Sequence, residues 1–150
     1  MPRISLLCAA LLILAACTPD LVDHDNGRWL VTHRTGEVDY ELGGQVLFPY
    51  DSDAISPRAY DIVANVADDA KRNPRTHIEV EGFTDTSGGH DGNMHLSLAR
   101  ADRVAELLVR HGVKPERIHT HGFGETRLAV KTGDGVREPR NRRVVIRLIG

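Results

Sequence analysis

The chain has 150 residues, with 21 Asp and Glu against 19 Lys and Arg, for a formal charge of −2. That length suits one domain with a core of its own, and the near-balanced charge, without a long basic run, points away from a nucleic-acid partner. Both cysteines, Cys8 and Cys17, lie at the N-terminal end, so neither a disulfide nor thiol chemistry operates over residues 18–150.

Residues 1–16 read as a signal segment to be removed. Arg3 supplies a positive start and residues 4–14 an apolar run, too short for the ~20 residues a helix needs to span a bilayer. The run ends in Leu14-Ala15-Ala16-Cys17, which resembles the bacterial lipobox, with small residues before a cysteine that becomes the lipidated mature N-terminus. An ordinary signal peptide that happens to contain Cys is the plain alternative. Thr18 follows the cysteine; by resemblance to enterobacterial lipoproteins, the lack of Asp there favours the outer membrane. Several acyl chains anchor stably where one does not.

Residues 17–42 are expected to be this cysteine and a flexible tether, rich in Asp, Asn, Pro and Gly up to Gly27. Trp29-Leu30-Val31 and Val38/Tyr40/Leu42 alternate in a way that fits a short hairpin around Thr35-Gly36.

From residue 43 strand and helix patterns alternate. Residues 45–48 read as a short strand ended by Pro49. Ser56-Pro57 opens a helix, with Ser as N-cap and Pro at the first helical position. Ala59, Ile62, Val63, Val66, Ala67 and Ala70 follow at helical spacing, and Asn73-Pro74 stops the helix. Residues 77–83 alternate as a strand, Ile78 and Val80 on one face, Glu79 and Glu81 on the other. A second helix is predicted over 94–111, with Met94, Leu98, Ala101, Val104, Ala105 and Leu108 inward and Gly112 as C-cap. A strand over 118–123, a polar loop over 124–139 and a closing strand over 144–149 complete the chain. The fold class is α+β: a two-layer sandwich, β-α-β-α-β-β, two helices packed on one face of a mixed four-stranded sheet. Residues 43–150 form the domain.

Candidate chemistry is concentrated in residues 82–100, GFTDTSGGHDGNMHLSLAR. Asp85 follows the strand, and Asn93, Ser97 and Arg100 lie along the next helix. Asn93 and Arg100 fall on one flank, beside the apolar stripe. A carboxylate, a Gly-rich loop and a guanidinium can converge there, at the end of a sheet. Blander readings stand beside this one: Asp85 as a turn residue accepting backbone N–H groups, Arg100 as its salt-bridge partner, Asn93 as an N-cap.

The pattern G-F-T-D-x-x-G-x-x-x-x-N-x-x-L-S-x-x-R-A resembles the signature of OmpA-like (OmpA/Pal/MotB C-terminal) domains. The likeness extends to Val46-Leu47-Phe48 and Asn141-Arg142-Arg143 and covers about residues 44–149. Phe83 departs from it, standing where the family commonly has His. The resemblance implies non-covalent binding of peptidoglycan through the meso-diaminopimelate of its stem peptide. It implies that Asp85 accepts from the ligand's ammonium and Arg100 donates to its carboxylate. Thr84, Thr86 and Ser87 would satisfy remaining groups, with Asp51, Asn93 and Arg142 the next positions around the ligand.

The expectation is a Pal-like outer-membrane lipoprotein, its domain facing the periplasm and tethering that membrane to the wall. Alternatives are the Pal component of a Tol-type system with a protein partner, and an accessory lipoprotein of an envelope-spanning machine. A peptidoglycan hydrolase is a further alternative, but no nucleophile–base pair appears, and Asp85 with Asp91 is a weak carboxylate pair. The eight histidines match no zinc spacing. No enzyme activity, metal or cofactor is expected.

Overall fold

The computed structural model describes residues 20–24, 29–48 and 55–150. The strands are β1 (Asp20–His24), β2 (Trp29–Arg34), β3 (Glu37–Gly43), β4 (His77–Phe83), β5 (Ile118–Gly122) and β6 (Arg143–Ile149). The helices are α1 (Gly44–Leu47), α2 (Pro57–Arg72) and α3 (His90–Arg110). Short 3₁₀ turns at Pro115–Arg117 and Pro139–Asn141 precede β5 and β6. The strands form one mixed sheet of six, in the order β1-β2-β3-β6-β4-β5. Only β4 and β5 run parallel; every other neighbouring pair is antiparallel.

The α+β sandwich is therefore as expected, but the sheet is wider. Three strands, β1, β2 and β3, come from the expected tether, and one expected strand is lost. Residues 29–43 are a hairpin turning at Gly36, whose φ is +76°, and β3 pairs with β6 along its whole length. The strand expected at residues 45–48 is instead the single helical turn α1. Val46, Leu47 and Phe48 are all buried, so there was no alternation to read, and a short apolar run does not distinguish strand from helix. The Gly44 N–H donates to the Arg142 carbonyl at 2.6 Å, and the chain then leaves the sheet.

One face of the sheet carries the core in rows. Val38, Leu148, Ile78 and Ile118 align across β3, β6, β4 and β5; the next row is Tyr40, Ile146, Val80 and Thr120. The third row is Leu42, Val144, Gly82 and Gly122. Against these rows α2 packs Ala59, Ile62, Val63, Val66, Ala67 and Ala70, all buried as their spacing predicts. Each fully buried Val, Leu or Ile in this layer stabilises by roughly 1.5–3 kcal/mol. The cap also holds: the Ala59 N–H donates to Ser56 Oγ at 3.2 Å.

The third row ends in glycine because α3 lies directly on it. A Cβ on Gly82 would fall 1.9 Å from the Ser97 carbonyl oxygen, and one on Gly122 2.7 Å from Leu98. This contact sets the N-terminal half of α3 against the C-terminal ends of β4 and β5, where the chain leaves the sheet for its polar loops.

Candidate binding cavity at the end of β4

The helix that borders the site starts at His90, earlier than predicted, and its N-cap Gly89 makes no side-chain cap. Asn93 is thus inside the first turns and is not the N-cap. The buried face of α3 also differs from the apolar stripe. Leu98 is exposed, whereas Asn93, Ser97 and Arg100 are buried along with Ala101, Val104, Leu107 and Leu108. Polar residues take the inner face here because the loops after β4 and β5 offer them partners. Asn93 Nδ2 donates to the Asp85 carbonyl at 3.2 Å and to Glu125 Oε2 at 2.5 Å. Ser97 Oγ donates to the Met94 carbonyl and accepts from the Gly124 N–H, each at 2.8 Å. Ser97 therefore pins the exit of β5.

Asp85 is 3% exposed. Its Oδ1 accepts from the Ser87 N–H at 3.1 Å and from Ser87 Oγ at 2.5 Å. Its Oδ2 accepts from the Glu138 N–H at 3.2 Å and lies 3.6 Å from Arg142 Nε. The carboxylate therefore ties its own turn to the loop before β6, and it forms an ion pair with Arg142. Glu138 itself is held by Arg140 through bidentate contacts, and these drop its carboxyl to about 2.

A cavity of about 720 Å³ opens between these elements. Thr84, Asp85, Ser87, Asn93, Arg100 and Arg142, all singled out in the sequence, line it together. Thr86 does not. Its hydroxyl lies 2.7 Å from the Gly133 carbonyl and accepts from the Val136 N–H, fastening the 132–136 loop instead. Asp51 and Cys17 lie outside the described residues. The lining also includes Gln45, Phe48 and Arg137. The first two were obscured by reading α1 as a strand, and Arg137 stands in a loop without any local pattern. Arg100, expected to flank the core, is 7% exposed as a residue, and its guanidinium lies 5.2 Å from the centre of the Phe48 ring, within cation–π reach.

Phe83 faces the other side of the sheet. It stacks on Phe123 at 5.4 Å beneath the Arg143 guanidinium at 3.9 Å, so its departure from the family pattern falls outside the cavity. His119 and His121 oppose Glu79 and Glu81 on that outer face, with His121 Nε2 at 2.7 Å from Glu79. Among the described residues no group of three or more His, Cys, Asp or Glu could hold a metal ion, and no helix is long and apolar enough to cross a membrane.

With this geometry in hand, comparison with known proteins finds the OmpA family matching residues 47–142. The chain belongs to the OmpA family. The probable lipoprotein YiaD of Escherichia coli (strain K12) is 35% identical over 129 residues, covering 85% of this chain and 59% of that protein. Peptidoglycan-binding protein ArfA of Mycobacterium tuberculosis (strain H37Rv) is 35% identical over 104 residues, 69% of this chain and 32% of its own length. The crystal structure of the peptidoglycan-associated lipoprotein from Burkholderia pseudomallei superposes with a TM-score of 0.60 at 26% identity, covering 69% of this OmpA-family chain and 86% of that one. Each is named for lipid attachment or for peptidoglycan, and none is named as an enzyme. The chain spans less than two thirds of the length of the two curated relatives.

Proposed function

We propose that this OmpA-family domain binds peptidoglycan non-covalently and without turnover, taking the free end of a meso-diaminopimelate residue into the cavity at the end of β4. That end is a zwitterion, one ammonium beside one carboxylate. The observation that carries the reading is a single cavity lined by the Asp85 carboxylate and by the Arg100 and Arg142 guanidinium groups. Asp85 and the Asn93 carbonyl offer acceptors to the ammonium, while Arg100 suits a planar carboxylate through two parallel N–H bonds. Thr84 supports the same reading. Its hydroxyl is buried in the lining with no hydrogen-bond partner among the described residues, and a buried polar group normally has one.

The second half of the proposal is a lipid at Cys17 that holds the domain at the outer membrane, facing the periplasm. The lipobox resemblance and the alignment to the probable lipoprotein YiaD support it. A modest affinity per site then suffices, because the wall repeats its ligand and the anchor keeps the domain nearby. Co-sedimentation of the chain starting at Thr18 with purified sacculi tests the binding half. Pelleting with the wall in chelator, with no soluble fragments released, is the expected result. Failure to pellet, or fragments accumulating with time, would overturn it.

A further inference from the structure

We infer that Glu125 is a positioning residue of the cavity: it locks the Asn93 carboxamide so that the carbonyl oxygen, and not the NH₂, faces the ligand. For the identity of the ligand the inference rests on the peptidoglycan reading above; for the orientation of the amide it does not.

The amide nitrogen of Asn93 has two neighbours, the Asp85 backbone carbonyl at 3.2 Å and Glu125 Oε2 at 2.5 Å. A carbonyl and a carboxylate only accept, so both are satisfied by the two N–H groups of the amide. Turned over, the amide would set Oδ1 against two oxygens. The orientation therefore follows from the neighbours, which is the sound basis for telling an amide's O from its N. With both N–H groups engaged inside the protein, Oδ1 is the only polar atom of the side chain left for a ligand.

Residue 88, which borders that oxygen in the cavity wall, has no side chain to crowd it. A Cβ on Gly88 would sit 3.3 Å from Asn93 Oδ1, and Gly88 has a φ of +131°, a conformation other residues rarely adopt. Gly88, Asn93 and Asp85 all line the cavity, whereas Glu125 is not among the lining residues. Glu125 belongs to the loop after β5 and reaches Asn93 from behind; its other oxygen lies 3.6 Å from His90 Nδ1. Its effect on the ligand runs through the amide. The locked carbonyl and the Asp85 carboxylate together make one end of the cavity an acceptor for a cation. A freely rotating Asn93 would instead present an NH₂ dipole to an ammonium for part of the time. Glu125 thereby sets the direction in which a zwitterion enters.

The test uses the chain from Thr18, which retains every strand of the sheet, as wild type, Glu125→Ala and Glu125→Gln. Two soluble probes are compared: the tripeptide L-Ala-γ-D-Glu-meso-diaminopimelate, and the same peptide with the free amine of its diaminopimelate acetylated. Glu125→Ala should weaken the free-amine probe roughly tenfold or more and the acetylated one much less, so that the preference between them shrinks. Glu125→Gln should restore the preference, because its Oε1 still accepts from Asn93. In ligand-free protein the Asn93 side-chain NH₂ resonances should lose their hydrogen-bonded shift and slow exchange in the alanine variant and regain them in the glutamine variant. Equal losses on both probes, no rescue by Gln, or NH₂ signals unchanged by Glu125→Ala would overturn the inference. If wild type binds neither probe the ligand reading falls instead, and the NH₂ signals alone decide whether Glu125 locks Asn93.

Discussion

Gly82 in β4 and Ser97 in α3 meet with no room for a side chain between them: a Cβ on Gly82 would lie 1.9 Å from the Ser97 carbonyl oxygen. The atom in the way is backbone of a long helix, so it cannot step aside alone. Gly82→Ala should push the N-terminal half of α3 off the sheet, at a cost of ~1–3 kcal/mol typical of overpacking or more. The same shift displaces Asn93 and Arg100, so wall binding should fall along with the midpoint of thermal unfolding. A variant as stable as wild type that still pellets with sacculi would contradict this account of the contact.

The loop before β6 should respond to acid through Glu138. Arg140 holds its carboxyl at about 2, well below the ordinary 4.5. A group depressed in the folded state contributes stability above its unfolded value and loses it as pH falls through the folded one. That contribution is therefore complete above ~4.5 and lost on the way to about 2. Glu138 is half-buried, but its partner Arg140 is exposed, so the effect on global stability is small and screened by salt. The direct measurement is the side-chain carbonyl shift of Glu138 against pH. A midpoint near 2 is expected; one near 4.5 would mean that the Arg140 contacts do not persist in solution.

Much of the fold was legible because its signals are local. Ser56-Pro57 and the six inward positions of α2 announce that helix without reference to anything else, and the alternation in β4 separates Ile78 and Val80 from Glu79 and Glu81. The hairpin at 29–43 was visible as alternation too, but joining it to the sheet depends on pairing β3 with β6, whose partners stand about a hundred residues apart, as Leu42 and Val144 do. The cavity was legible only through its motif residues. Asn93 looked like a cap and Arg100 like a flank residue because what buries them is not adjacent in sequence. Asn93 is held by Glu125, and Ser97 by the Gly124 N–H. Thr86 carried the same polar signal as Thr84, yet its partners at 133 and 136 draw it away from the cavity. No spacing rule within residues 82–100 distinguishes the two.

At the other end of the chain, Cys17→Ser should abolish lipid attachment and release the protein from the outer membrane. The motive is the apolar run that ends in Leu14-Ala15-Ala16-Cys17. Metabolic labelling with a fatty-acid analogue decides it, and equal label on the variant would refute the anchor.

The ligand assignment is tested most sharply at Arg100, although the burial of the site changes which variants are informative. Asp85 holds two backbone N–H groups and the Ser87 hydroxyl. Asp85→Ala should therefore strand buried donors and destabilise the loops as well as weaken binding, at ~1–3 kcal/mol per stranded group. Arg100→Gln fills most of the same space and removes the charge and the fork, so circular dichroism should change little while affinity for diaminopimelate-type wall falls. A hydrogen bond to a charged group contributes ~1.5–3 kcal/mol, which corresponds to roughly 10- to 150-fold. Arg100→Lys should recover only part of this, since an ammonium cannot make the paired bonds to a carboxylate. Wall whose stem peptides carry lysine keeps the ammonium but lacks the second carboxylate, leaving Arg100 nothing to read. Wild type should accordingly prefer diaminopimelate-type to lysine-type wall, and Arg100→Gln should erase most of that margin. If the variant stays folded and discriminates as wild type does, the carboxylate is read elsewhere in the cavity, and Arg137 and Arg142 become the residues to substitute next.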